Sequence, residues 1–122
     1  SEPRMTYPFR FNQWINLSYA EQNTKTWGAF LDKWMVGMIS VELLQVKKCA
    51  NLFHIFVDKS YRKKNIFETL IKTAENFAKQ NNCSEIYHFL EYRDIQLISE
   101  SENLGFAQMM TKKNQKKMVK SI

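Results

Sequence analysis

Residues 52 to 90 constrain the fold more than any other part of the chain. LFHIFV, 52 to 57, is an apolar run of strand length. It passes through the basic segment DKSYRKK into a stretch whose apolar members, Ile66, Phe67, Leu70, Ile71, Ala74, Phe77 and Ala78, recur at helical spacing. EIYHFL, 85 to 90, then reads as a second short strand. Two strands joined by a crossover helix in one sheet pair in parallel, with a right-handed connection. LFHIFV is continuous rather than alternating, which predicts burial on both faces near the centre of that sheet. Asn65 can cap the helix, with Glu68 three residues on, and Asn81 and Asn82 suit a stop with a left-handed residue.

The flanking sequence adds antiparallel strands. TWGAFL and WMVGMISVELLQV surround the polar pair Asp32 and Lys33 and read as a hairpin. IQLISESENL, 95 to 104, reads as a short helix capped by Asp94 and ended by Gly105. FAQMM, 106 to 110, and KKMVKSI, 116 to 122, are candidate final strands across a polar turn. No period dominates residues 1 to 22: Phe9 and Phe11 around Arg10 hint at a strand, whereas Trp14, Ile15 and Leu17 fit one helical face. The expected fold class is α/β (α+β), a mixed, mainly antiparallel sheet with a central parallel pair and helices on its faces.

Composition narrows the classes. A chain of 122 residues with 44% hydrophobic content suits one domain with an ordinary core. No apolar run is long enough to span a membrane, and SEPRMTYPFR lacks the apolar centre of a signal peptide. Cys49 and Cys83 have no metal-ligand spacing and read as free, buried thiols of a reducing compartment, which suggests the cytoplasm. The net charge of +6 concentrates in KSYRKK and KKNQKK and is compatible with a polyanion, an acidic partner or a phosphorylated cofactor. Charge runs of this kind also serve simply as solvated turns. No RNA-binding motif accompanies the charge, so nucleic acid is not the expected partner.

Two segments carry a resemblance. V-D-K-S-Y-R-K-K-N-I-F, 57 to 67, and D-I-Q-L-I-S-E-S-E-N-L-G-F, 94 to 106, stand in the right order, spacing and structural context to resemble the GNAT family of N-acetyltransferases. That family carries V-x-P-x-Y-R-G-K-G-I-G between a strand and a helix, and later N-x-x-A-I-x-L-Y-E-K-L-G-F. The likeness spans roughly residues 26 to 110, and residues 1 to 122 read as one such domain with an abbreviated or truncated N-terminal region. It implies an acyl-CoA N-acyltransferase whose co-substrate is acetyl-CoA, acting on a primary amine of a small molecule or protein, as a monomer or homodimer. The resemblance places the pyrophosphate at Arg62, Lys63, Lys64, Asn65, Ile66 and Phe67, where backbone N–H groups and the helix dipole face an anion. It sets the pantetheine arm beside Ile55, Phe56 and Val57.

Three departures from the family pattern bear most on the chemistry: Asn65 and Phe67 stand at glycines of the loop, and Ser101 at the tyrosine that protonates the leaving thiolate in many members; Asp94 also replaces the frequent Asn. Asn tolerates the left-handed region, but a phenyl ring at 67 competes with the phosphates unless it turns into the core. His54, with strand alternation setting it opposite Ile55 and Val57, and Glu42 on the preceding strand are the candidate proton acceptors. Each also reads as an ordinary strand residue. The three departures together leave a second reading, a GNAT-like domain that binds or regulates without catalysis. No metal is expected.

Overall fold

The computed structural model describes residues 23–62, 65–109 and 113–122, and residues 10–14 as backbone. Seven strands form one sheet: β1 (Arg10–Trp14), β2 (Thr24–Leu31), β3 (Trp34–Leu44), β4 (Cys49–Val57), β5 (Glu85–Glu91), β6 (Ala107–Met109) and β7 (Gln115–Ser121). A 3-10 turn, Lys59–Tyr61, precedes helix α1 (Ile66–Gln80), and α2 (Ile95–Asn103) follows β5. The strand order is β1-β2-β3-β4-β5-β7-β6. Among the described residues only β4 and β5 pair in parallel; the other pairs are antiparallel. The fold class read from the sequence is the one observed.

Local chemistry explains most elements. Asp32 turns the β2–β3 hairpin with φ 56°, a conformation its short polar side chain tolerates. Helix α1 buries Ile66, Phe67, Leu70, Ile71, Ala74 and Ala78 on one stripe. Asn82, at φ 65°, supplies the left-handed residue past its end. Asp94 caps α2 by accepting the Leu97 N–H, and Gly105, at φ 102°, follows its last turn. The amino-terminal strand option holds for Arg10–Trp14; the helical alternative falls partly on 15–22, outside the described residues.

Both described helices lie on the same side of the sheet, over His88. Gly37 on β3 lies so close to α1 that an added Cβ would stand 2.8 Å from Ile66. His88 on β5 meets Phe67 of α1 at 6.3 Å between ring centroids and Ser101 of α2 at 2.9 Å. At the far end of α1, Phe77 packs edge-on against Trp27 of β2. The core between helices and sheet is Ile39, Val41, Leu52, Ile86, Met118 and the α1 stripe.

β4 differs most from expectation. It is central in strand order, yet LFHIFV is not buried on both faces: Leu52 and Val57 are buried, His54 is exposed and Phe56 is 42% exposed. Two features cause this. His54 has φ 51° and, together with Ile55, stands opposite the single residue Ile39, so β4 carries a bulge against β3. Its pairing with β5 also stops at Leu52↔His88, although both strands continue.

Candidate active site

The site begins where β4 and β5 part. Below Leu52↔His88 the two strands are hydrogen-bonded neighbours; above it, Phe53–Val57 and Phe89–Glu91 face a gap. Asp58 donates its N–H to the Val36 carbonyl at 2.9 Å, and Phe56 pairs with Met38. Antiparallel alternation then directs the N–H and C=O groups of Ile55 and Val57 away from β3, into the gap. Phe56 directs its own toward β3, so of the three backbone positions named from the sequence only Ile55 and Val57 face the opening.

At the top of the gap the chain makes its 3-10 turn and enters α1. Asn65 adopts the left-handed conformation, φ 65° and ψ 15°, and makes no side-chain cap. The capping expected of Asn65 is therefore absent: an N-cap side chain reaches back from extended backbone, and a left-handed residue points it elsewhere. Asn65 still accepts the Thr69 N–H through its carbonyl. The N–H groups of Ile66, Phe67 and Glu68 have no acceptor within the helix.

Phe67 is wholly buried, its ring turned into the core against His88. The phenyl group leaves the start of the helix unobstructed, and Phe67 presents only its backbone there. Ile66 is likewise buried. Beside this helix start lies a groove lined by Arg62, Asn65, Glu68, Glu100, Asn103 and Leu104, with Glu68 paired to Lys72 at 2.8 Å. A second, open depression of about 460 Å³ is lined by Lys59, Arg62, Glu91, Arg93 and Asp94. Arg62 belongs to both, and its Nη1 lies 2.9 Å from each oxygen of Asp94. Lys63 and Lys64 lie outside the described residues.

The two proton-acceptor candidates are not brought together. Glu42 pairs with Asn51, in the joined half of the sheet, whereas His54 lies three positions further along β4, at the bulge beside the gap. Despite the bulge, His54 is exposed whereas Ile55 packs against the core and Val57 is buried. His54 rests against Phe53, with ring centroids 4.5 Å apart. Glu42 shares a neighbourhood with Tyr87, whose phenol is pushed up by burial and by nearby Cys49, Glu42 and Glu85.

Sequence reasoning missed one pair. His88 and Ser101 are completely buried and bonded through Nε2 and Oγ, and His88 Nδ1 has no protein partner among the described residues. Burial lowers the imidazole to a pKa of about 4, so it is neutral at pH 7. The residue at the motif's tyrosine position is thus sealed in the core. The available signal was the alternation of Ile86, His88 and Leu90, which puts the histidine on the buried face.

Comparison with known proteins agrees with this geometry. The model of the acetyltransferase (GNAT) family matches residues 1–106. N-alpha-acetyltransferase 30 of Dictyostelium discoideum is 31% identical over 107 residues, 85% of this chain and 53% of that protein. Human N-acetyltransferase 8 is 30% identical over 99 residues, 75% of this chain and 43% of that protein. The chain thus spans about half the length of the curated relatives it matches. The crystal structure of PaiA N-acetyltransferase from Thermoplasma acidophilum in complex with coenzyme A superposes with a TM-score of 0.76 at 23% identity, covering 86% of this chain and 65% of that one. An acetyltransferase from Streptococcus agalactiae gives a TM-score of 0.78 at 16% identity, covering 93% and 98%. No helix among the described residues is long and apolar enough to cross a membrane. The parted parallel strands, the left-handed turn into α1 and the family match over most of the chain agree: this protein belongs to the GNAT acetyltransferase family.

Proposed function

We propose that the protein is an acyl-CoA-dependent N-acyltransferase that moves an acetyl group from acetyl-CoA to a primary amine of a small molecule or protein. The observation that carries this reading is the parting of β4 from β5 beneath an uncapped, unobstructed helix start. The gap suits the pantetheine arm, an extended chain with amide groups that the Ile55 and Val57 backbone can meet. The N–H groups of Ile66, Phe67 and Glu68, with the helix dipole behind them, suit the pyrophosphate. Lys63 and Lys64 are the proposed additional cations of this loop.

The chemistry is direct transfer. The neutral amine attacks the thioester carbonyl carbon, the C–S bond breaks, and the thiolate takes up a proton as the amide nitrogen loses one. Holding the two reactants in line supplies most of the acceleration. N–H groups at Ile55 and Val57 stabilise the developing oxyanion. His54, exposed beside the gap, is the nearer candidate to remove the amine proton, and Glu42 the more distant one, acting through water. Ser101, sealed against His88, takes no part, so the thiolate draws its proton from the acceptor or from solvent.

Calorimetry with acetyl-CoA and a free-thiol assay over a panel of primary amines test this reading. The expected result is binding below millimolar concentration, turnover of at least one amine, and loss of turnover with binding retained in His54→Ala. Absence of acetyl-CoA binding at millimolar ligand sinks the proposal. Binding without turnover of any amine favours the non-catalytic reading instead.

A further inference from the structure

Arg62 stands in the loop that the family resemblance assigns to phosphate, yet its side chain is already committed. Nη1 donates to Oδ1 and Oδ2 of Asp94, each at 2.9 Å, and Nε donates to the Val57 carbonyl at 3.3 Å. The pair is mostly shielded, with side chains 18% and 23% exposed. Asp94 is tied in turn: its Oδ1 accepts the Leu97 N–H and its own N–H reaches the Glu91 carbonyl. The guanidinium therefore spans from the last residue of β4 to the cap of α2, just beyond the end of β5. These are the two sides of the gap, above the point where their pairing ends at Leu52↔His88.

We propose that Arg62 and Asp94 form a clasp that sets the width of the β4–β5 gap, making Arg62 a positioning residue for the acyl-CoA arm and not a phosphate ligand. The inference rests on the acyl-CoA reading above and deepens it. A guanidinium that left Asp94 for a phosphate would strand a partly buried carboxylate, which is costly without a replacement cation. Asp94 belongs to this chain's own pattern, since the family motif carries a neutral Asn there, which cannot form the ion pair. The anion-facing charge of the loop then falls to the α1 N–H groups and to lysines.

The test compares CoA with ADP, which has a diphosphate but no pantetheine arm, by calorimetry on the full chain. The variants are Arg62→Met, Asp94→Asn, the double variant and Arg62→Lys. Asn keeps an oxygen for the Leu97 N–H, so Asp94→Asn removes the charge without removing the cap. Thermal unfolding checks that each variant is folded. A clasp predicts that Arg62→Met and Asp94→Asn each weaken CoA binding by about tenfold, the double variant no more than either, and ADP binding changing little in all three. Arg62→Lys, with one charged contact in place of the fork, recovers part of the loss. A phosphate ligand predicts the opposite signs: Arg62→Met weakens CoA and ADP alike, and Asp94→Asn strengthens both by freeing the guanidinium. That outcome, or independent losses that add in the double variant, overturns the clasp. Failure of the unmodified protein to bind CoA overturns the acyl-CoA reading itself and is distinct from either.

Discussion

Helix α1 begins at Asn65, left-handed and uncapped, while α2 begins at Asp94, whose carboxylate accepts a helix N–H and is neutralised by Arg62. Every helix start leaves N–H groups without intrahelical acceptors. α2 satisfies two of its own from within the chain, the Ile95 N–H on the Arg93 carbonyl and the Leu97 N–H on the Asp94 carboxylate, and α1 leaves its own to something else. One start is closed as structure and the other stays open as a place for an anion. The two helices nonetheless meet at one residue: His88 touches Phe67 in the first turn of α1 and bonds Ser101 in the last turn of α2.

The largest effect expected on this comparison comes from removing the seat of the open start. Phe67→Ala empties a fully buried site among Ile66, His88 and the sheet, and should cost about 3–5 kcal/mol in urea unfolding. Acetyl-CoA binding should fall with it, because the loop loses its footing. If stability is nearly unchanged, the phenyl ring is not the anchor described.

The shared residue should respond to acid. His88 is held neutral, with its pKa lowered to about 4 from an ordinary value of 6.5. The folded state thus resists protonation that the unfolded chain accepts. Stability is full above pH 6.5 and is lost as pH falls from there toward 4, by up to about 3 kcal/mol over that window. Urea unfolding from pH 7 to pH 4.5 should show the loss, and His88→Leu should flatten that part of the profile. A histidine variant with an unchanged profile would mean that carboxylates, such as Glu75 in its pairs with Lys79 and Lys120, govern the acid limb alone.

Gly37 offers a smaller probe of the open start. An added Cβ meets Ile66 at 2.8 Å, Leu70 at 3.1 Å and the Phe56 carbonyl at 3.2 Å. Gly37→Ala should push the first turn of α1 from the sheet, costing about 1–3 kcal/mol. It should weaken acetyl-CoA binding while leaving the α2 end undisturbed. Equal hydrogen-exchange changes at both helix starts would contradict the independence of the two.

The two starts also mark what the sequence could and could not disclose. α1, β5 and α2 are legible because their apolar residues repeat at one period and their neighbours cap or stop them. The Asp94 cap was legible for the same reason. Asn65 was not, because Asn-x-x-Glu is an equally good cap signal and a left-handed turn signal, and only the approach from β4 chooses between them. The bulge at His54 was hidden too: no glycine announces it, and a continuous apolar run looks buried until the neighbouring strand diverges. Arg62–Asp94 and His88–Ser101 join residues 32 and 13 positions apart, so local periodicity could not pair them.

The smallest effect is the sharpest test of the comparison. Serine is among the best N-cap residues when its backbone is extended, and is less tolerant than asparagine of the left-handed region. At Asn65 the backbone is left-handed, so Asn65→Ser should gain no cap and lose up to about 1 kcal/mol in thermal or urea unfolding. At Asp94 the backbone is not left-handed, with φ −84° and ψ 71°, and Asp94→Ser should keep an oxygen for the Leu97 N–H while losing the ion pair. The same residue introduced at two helix starts therefore does different things for one physical reason, the sign of φ. A gain in stability from Asn65→Ser would mean that the first turn of α1 can close on itself, and that a helix start open to an anion is not imposed by the chain.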